Sequence, residues 1–196
     1  MGALANKLGQ VDVLGMNVER LAGHEAMERV MEGRGELRPS VGDEELAVWV
    51  NGAVGRMDVL LPEETRNNVM EACGKNCSEV NKRAIDAGLA KRRKAKTEEA
   101  FIDAEVEAAK ASSRLERDEG VLYQVYTPRG FGKGLRCFCA LTRGLPEGEK
   151  MSPTYCKCGE AFARTYWQAV LGRPVEVKLL ESGLTGSDVC RFEIRL

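Results

Sequence analysis

The sequence predicts an α+β protein in which a helical N-terminal segment packs on a four-stranded antiparallel sheet with one helix. Residues 1–117 are rich in Ala, Glu, Lys, Arg, Leu and Met, a composition typical of helices. From residue 118 onwards, short β-branched and aromatic segments alternate with turns, which is typical of strands. We therefore predict a helical region over 1–117 and a cysteine-rich domain over 118–196 with the order strand, strand, helix, strand, strand.

Three helices are indicated in the helical region after about residue 42. One begins at Asp43 and carries a single apolar stripe, and the next opens at Pro62, where proline fits the first turn of a helix. The basic run 91–94 is interpreted as a solvated link. An amphipathic helix is predicted after Thr97, continuing to about Arg117.

The C-terminal domain is predicted to contain four strands, a glycine-rich turn and one helix. The predicted strands are 121–126, 135–141, 175–180 and 189–196. The first two should pair around the glycine-rich turn 128–134, because such a turn joins antiparallel neighbours. The helix spans 160–171 and ends at Gly172, where a C-terminal cap glycine is expected.

The charge balance excludes several classes of partner. Twenty-nine Lys and Arg against thirty Asp and Glu leave a formal charge of −1, which gives no bulk attraction to nucleic acid or to an anionic membrane. No apolar run approaches the roughly 20 residues that span a bilayer. We expect a cytoplasmic protein without nucleic-acid or membrane partners, and a homodimer is left open.

The cysteine count favours metal binding or thiol chemistry. Seven cysteines cannot all pair within one chain, and a reducing compartment disfavours structural disulfides. The single histidine, His24, excludes a histidine-rich metal site and a two-histidine proton relay.

Two Cys-x-Cys pairs provide a four-thiol set. Cys137 and Cys139 lie on a predicted strand, where residues two apart face the same side. Cys156 and Cys158 would diverge by roughly 200° inside a helix. We therefore place them in the loop before the helix, where the helix dipole would lower the thiol pKa and favour the thiolate. This set predicts a zinc site, with an iron–sulfur cluster as the alternative.

Other interpretations of the cysteines remain open. Cys73 and Cys77 lie four apart on a helix and could complete a six-thiol cluster, although core packing also explains them. The adjacent Gly74 suggests that this turn closely approaches another group. Cys190 is interpreted as a packed core residue in the last strand, with a role as a ligand as the alternative.

The two Cys-x-Cys pairs could also have a purely structural role or a redox role. They could be small core residues, or they could form a reversible disulfide or redox pair. In the redox interpretation, thiolates are stabilised by Arg136, Lys157 and Arg164.

Four aromatic residues cluster on or near the predicted C-terminal helix. They are Tyr155, Phe162, Tyr166 and Trp167. At this spacing they are core residues first, and they could also line an apolar pocket for a small hydrophobic or heterocyclic ligand.

The C-terminal stretch LGRPVEVKLLESGLTGSDVCRFEIRL, with the preceding Cys-x-Cys pairs, resembles the vinyl-reductase-like domain of the 4-vinyl reductase type. Together with the segment ETRNNVMEACGKNC, residues 62–196 are also similar to uncharacterised cysteine-rich bacterial and archaeal proteins and to the 2-amino-thiazoline-4-carboxylate hydrolase-like group. The most specific part is residues 186–192. The resemblance implies a small α+β module with a pocket for a small hydrophobic or tetrapyrrole-like ligand and with cysteines as metal ligands.

Two functional hypotheses from different classes follow. The first is a metal-binding small-molecule-binding or sensor protein that uses the cysteine cluster. The second is a thiol-dependent enzyme, a hydrolase of a small heterocycle or a reductase, with a nucleophilic thiolate at Cys156 or Cys158. The sequence shows no base for such a nucleophile, so it leaves enzymatic activity open.

Overall fold

The computed structural model describes residues 6–108, 113–127 and 136–196, and shows an α+β fold. The predicted turn 128–134 lies outside the described residues. The described α-helices are α1 (Lys7–Ala22), α2 (His24–Val30), α3 (Asp43–Leu60), α4 (Glu63–Val80), α5 (Lys82–Lys94), α6 (Glu98–Glu107) and α7 (Pro153–Leu171). None of them combines the length and the apolar character needed to cross a bilayer.

Four strands form one antiparallel sheet in the order β1-β2-β4-β3. They are β1 (Ser113–Asp118), β2 (Val121–Tyr126), β3 (Glu176–Glu181) and β4 (Cys190–Arg195). The central pairing of β2 with β4 places Leu122 opposite Ile194, and β3 adds Val177 at the same level. The predicted order of strand, strand, helix, strand, strand is confirmed.

The first strand of the sheet lies where the sequence predicted a helix. The helix after Thr97 ends at Glu107, and Ser113–Asp118 forms β1 rather than continuing the helix to Arg117. Glu119 and Gly120 both have positive φ, 41° and 84°, which makes the two-residue turn that joins twisted antiparallel strands. The charged sequence of β1 suits a sheet edge, because charges discourage pairing with other chains.

The prediction of a strand over 135–141 is wrong for residues 136–141, which the structure describes. Residues 136–141 form loops and turns, so Cys137 and Cys139 do not lie on a strand. The pairing edge of β2 is already occupied by β1 on one side and by β4 on the other. The hairpin partner of β2 is therefore the segment before it in the chain.

The C-terminal helix begins seven residues earlier than predicted, at Pro153 instead of 160. The Oγ of Ser152 accepts a hydrogen bond from the Thr154 N–H, and Pro153 occupies the first turn, where its missing N–H costs nothing. Cys156 and Cys158 consequently lie within the helix and not in a loop before it. The predicted end at Gly172 is confirmed, with φ of 70°.

The other helix boundaries follow from local capping. The prediction of a helix opened by Pro62 is confirmed, and Thr97 caps α6 by accepting from the Ala100 N–H. The basic run 91–94, predicted as a link, is instead the last turn of α5, where positive charges complement the helix dipole.

Two hydrophobic clusters hold these elements together. One includes buried side chains from α1 to α4 and also Leu141, Leu145, Tyr155, Cys156 and Leu184. Its members come from both sides of the predicted boundary at 117/118, which itself falls inside β1. The second cluster joins α6 and the C-terminal part of α7 to the sheet through Phe101, Trp167 and Ile194. Helix α7 contributes to both clusters, so it connects the helical region to the sheet.

Candidate functional site: two cavities lined by cysteines

Helices α4 and α7 approach each other closely at Gly74. A Cβ built on Gly74 would lie 2.3 Å from the Cys158 carbonyl oxygen and 2.8 Å from the Ala161 Cβ, so no larger residue fits without moving a helix. The prediction of a close approach at this turn is confirmed. The contact positions Cys73 and Cys77, which flank Gly74 on α4, beside the first turns of α7.

Four cysteines line a cavity of about 90 Å³ between α1, α4 and α7, called here the α4–α7 cavity. They are Cys73 and Cys77 of α4, Cys139 of the preceding loop and Cys158 of α7. Most other lining side chains are apolar, and Tyr155 forms part of the wall. Three separate chain segments thus contribute thiols to one small space.

Four cysteines also line a second, smaller cavity of about 60 Å³ between α7 and the sheet, called here the α7–β4 cavity. They are Cys137, Cys156, Cys158 and Cys190. Cys158 and Tyr155 line both cavities.

The two Cys-x-Cys pairs are distributed differently over the two cavities. Cys139 lines the α4–α7 cavity while Cys137 lines the other, whereas Cys156 lines only the α7–β4 cavity and Cys158 lines both. Within α7 the divergence is the roughly 200° that two residues produce at about 3.6 residues per turn. Neither cavity is lined by all four of these thiols, and the expected four-thiol site at Cys137, Cys139, Cys156 and Cys158 stays a prediction.

Polar groups contact the cysteine sulfurs. The Asn17 side-chain amide lies 3.5 Å from Cys73 Sγ, and the Asn81 amide lies 3.5 Å from Cys77 Sγ. The Tyr155 hydroxyl is 3.2 Å from Cys139 Sγ. Asn17 and Asn81 can only donate through these nitrogens, so the sulfurs act as acceptors there.

The sulfurs of the α7–β4 cavity have comparable contacts. Cys156 Sγ lies 3.1 Å from the Ser182 hydroxyl, and the Gly183 N–H donates to Cys190 Sγ at 3.4 Å. The Cys139 N–H donates to Cys137 Sγ, also at 3.4 Å. These thiols are therefore not surrounded by apolar groups alone.

Burial raises the pKa of both α7 thiols, Cys156 and Cys158, contrary to the expected lowering by the helix dipole. It raises the pKa of Cys156 to about 11, although the Ser182 hydroxyl opposes the shift. Burial and then the neighbouring Cys139 raise the pKa of Cys158 well above its usual value. Burial likewise raises the pKa of Cys73 to about 11 and that of Cys137 to about 12. Protonated thiols are weak nucleophiles, which disfavours the enzyme hypothesis at Cys156 or Cys158.

The three cations predicted to stabilise thiolates have other partners. The Arg136 guanidinium is buried and donates to backbone carbonyls, including those of Gly183 and Leu184. Lys157 pairs with Glu160, and Arg164 pairs with Glu71. Lys157 still lowers the pKa of Cys156, but this effect is smaller than that of burial.

The side chains as they stand do not form a finished metal site. Among residues 6–108, 113–127 and 136–196, no group of three or more His, Cys, Asp or Glu is arranged to hold a metal ion. All seven cysteines lie in these ranges, and each is a free thiol.

Of the four aromatic residues predicted to line a ligand pocket, Tyr155 lines both cavities. Phe162, Tyr166 and Trp167 line neither of them. Trp167 is fully buried in the second hydrophobic cluster, where its indole N–H donates to Gln124 at 3.1 Å. Tyr166 packs edge-on against Trp167 and contacts Gly88.

Sequence reasoning missed three polar residues at the sulfurs. Asn17 belongs to the first sixty residues, which gave no functional signal, and Ser182 lies in an unremarked turn after β3. A buried asparagine on the apolar face of α1 was the available signal for Asn17, because buried amides need partners. Asn81 follows Cys77 by four residues at the end of α4, a spacing that allows contact.

Comparison with protein-family models finds no match to this chain, and comparison with curated proteins finds none either. The resemblance to the vinyl-reductase-like domain therefore stays a prediction. The two cavities and their thiols are the features of the molecule that point to a function.

Proposed function

We propose that the protein binds a soft divalent metal ion, with zinc as the first candidate, through Cys73, Cys77, Cys139 and Cys158. The observation that supports this most is that four thiols from three chain segments line one cavity. Four thiolates in a tetrahedral set are a common environment for structural zinc, and thiolates also suit iron–sulfur clusters.

The surroundings of these sulfurs support the proposal. Metal-bound ligands are commonly oriented by hydrogen bonds from a second layer of residues. The amides of Asn17 and Asn81 and the Tyr155 hydroxyl occupy such positions at Cys73, Cys77 and Cys139 respectively. Donors that point at sulfur would stabilise the negative charge of a thiolate.

Binding requires the four sulfurs to turn towards one point, since no three converge as they stand. A cysteine side chain redirects its sulfur by rotating about one bond, χ1, so the change does not require a new fold. Each ligand would release its proton on binding. Bound metal would then tie α4, α7 and the loop containing Cys139 together.

A sensor or small-molecule-binding role fits this arrangement. The α4–α7 cavity is lined mainly by apolar side chains, which would accept only a small hydrophobic or heterocyclic ligand at a volume of about 90 Å³. The resemblance to the vinyl-reductase-like domain supports the same class of ligand. Metal at the wall of the cavity would couple ligand binding to the packing of α4 on α7.

Metal analysis of the full chain, purified without oxygen, tests the proposal. We expect stoichiometric zinc and no visible absorbance, whereas a brown protein would indicate an iron–sulfur cluster in place of zinc. Cobalt substitution should give thiolate-to-cobalt charge-transfer absorption. Reduced protein that neither retains zinc nor competes for it with a chromophoric chelator would overturn the proposal.

Cys77→Ser is the most informative variant, because Cys77 is exposed and its replacement should leave the fold intact. Loss of a second-layer partner alone lowers metal affinity by about 10–100-fold, so we expect loss of this ligand to lower it at least as much. Glu79→Gln, an exposed change on the same turn of α4, is the matched control and should bind like the wild type. Equal affinities in both variants would reject Cys77 as a ligand.

A further inference from the structure

We infer that Cys137, Cys156 and Cys190 form a second soft-metal site that shares Cys158 with the first, so that the chain binds two metal ions. The inference rests on the proposed function only for the role of Cys158. It concerns the α7–β4 cavity, which all four of these cysteines line.

The distribution of the two Cys-x-Cys pairs is the first argument. One member of each pair, Cys139 or Cys158, lines the α4–α7 cavity, while Cys137 and Cys156 line the α7–β4 cavity. Cys156 and Cys158 diverge by roughly 200° on α7, and of the two only Cys158 also lines the α4–α7 cavity. Cys156 is therefore confined to an ion in the α7–β4 cavity, whereas Cys158 can contact an ion on either side.

Cys158 is the residue that connects the two sites. It lines both cavities, together with Cys73 in one and with Cys156 in the other. A thiolate sulfur has several lone pairs and can bridge two metal ions. Six other cysteines then divide evenly, with Cys73, Cys77 and Cys139 at one ion and Cys137, Cys156 and Cys190 at the other.

The contacts to sulfur in the α7–β4 cavity are the second, independent argument. Backbone N–H groups of Cys139 and Gly183 donate to Cys137 Sγ and Cys190 Sγ, each at 3.4 Å. Fixed N–H donors are suited to thiolates, because hydrogen bonds to a charged acceptor are stronger than those to a neutral thiol. The Ser182 hydroxyl, 3.1 Å from Cys156 Sγ, can donate in the same way.

The chemistry needs no oxidant or reductant. Each cysteine that binds transfers its thiol proton to solvent and forms a sulfur–metal bond, and no electrons change hands. As in the α4–α7 cavity, the cysteine side chains must rotate so that their sulfurs point into the cavity, because no three of them are arranged to hold a metal ion as they stand.

Cadmium-113 titration of the reduced full chain, followed by NMR and by metal analysis, tests the inference. We expect about two equivalents per chain and two resonances at shifts typical of thiolate ligands, coupled through the shared sulfur. Cys190→Ser should remove one equivalent and one resonance, and Cys77→Ser should remove the other. Near-ultraviolet circular dichroism of each variant verifies that the fold is retained.

The outcomes separate this inference from the proposed function. The wild type could bind only one equivalent of cadmium, which Cys77→Ser removes and Cys190→Ser leaves unchanged. This result would overturn the second site and leave the proposed function standing. No bound metal in the wild type would overturn both. If Cys190→Ser unfolds the protein, Cys156→Ser is used in its place. A folded variant of either residue that still binds two equivalents of cadmium would also reject the second site.

Discussion

The two halves of α7 pack in different ways. Its N-terminal half, residues 153–161, lies between two cavities and carries Cys156, whose sulfur contacts the Ser182 hydroxyl, and Cys158, which lines both cavities with other thiols. Its C-terminal half, residues 163–171, presents Trp167 to a cluster of aromatic and aliphatic side chains. One helix thus combines ordinary core packing with a thiol-rich region that packing alone does not explain.

The largest expected effect concerns the C-terminal half of α7. Trp167→Ala removes a fully buried ring and should lower the free energy of unfolding by about 3–5 kcal/mol, measured by urea denaturation. Since Trp167 lines neither cavity, the loss should be similar with and without metal. Trp167→Phe, which keeps a ring but leaves Gln124 without its indole donor, should cost less. A metal-dependent loss in Trp167→Ala would break the division of α7 into two halves.

A smaller effect is expected at the N-terminal half. Gly74→Ala places a methyl group against the backbone of α7 and should destabilise the protein by about 1–3 kcal/mol through overpacking, despite the better helix propensity of alanine. Metal affinity should fall with it, because the cysteines of α4 and α7 are pushed apart.

The matched control for Gly74→Ala is Gly55→Ala on α3. A Cβ at Gly55 meets nothing within 4 Å, so this change should stabilise the protein by up to about 1 kcal/mol. Thermal denaturation of both variants gives the comparison. If the two changes have the same sign, the contact at Gly74 is not as tight as described.

The smallest expected effect is a pH dependence in the C-terminal half. Burial, and then the charge of Glu105, raise the pKa of Tyr166 from 10.0 to about 12. The folded protein therefore keeps a proton there that the unfolded chain loses above pH 10. This contribution to stability is fully present below pH 10 and is lost as the pH rises through about 12.

Tyr166→Phe should therefore make the fall in stability across this alkaline range shallower than in the wild type. Urea denaturation at several pH values measures it, and the near-ultraviolet absorbance of tyrosinate reports the titration directly. An unchanged slope in Tyr166→Phe would show that Tyr166 ionises alike in the folded and unfolded states.

The sequence predicted the fold class and the order of strands and helix along the chain correctly, but it misplaced the first hairpin. β-branched and aromatic residues identified β2, and apolar residues alternating with charged ones identified β3 and β4. The edge strand β1, with the sequence SRLERD, lacks such a pattern and was assigned to a helix. Its signal was the two-residue turn at Glu119 and Gly120.

The candidate site was predicted in its residue types and only partly in its geometry. The helical spacing of Cys73 and Cys77 and the close approach at Gly74 were readable, because both depend on local structure. The start of α7 was also readable from Ser152 and Pro153 but was overlooked. The distribution of the Cys-x-Cys pairs over the two cavities was not readable, since it depends on contacts between segments distant in sequence.

The loop that presents Cys137 and Cys139 is organised by a neighbouring buried charge. Arg136 donates to the carbonyls of Gly183, Leu184, Pro146 and Glu149, so one planar side chain fixes the turn after β3 against this loop. Lysine could not reproduce these several fixed donor directions. A permanent positive charge consequently lies one residue from Cys137. It would offset part of the negative potential that a cluster of ionised sulfurs builds up inside the protein.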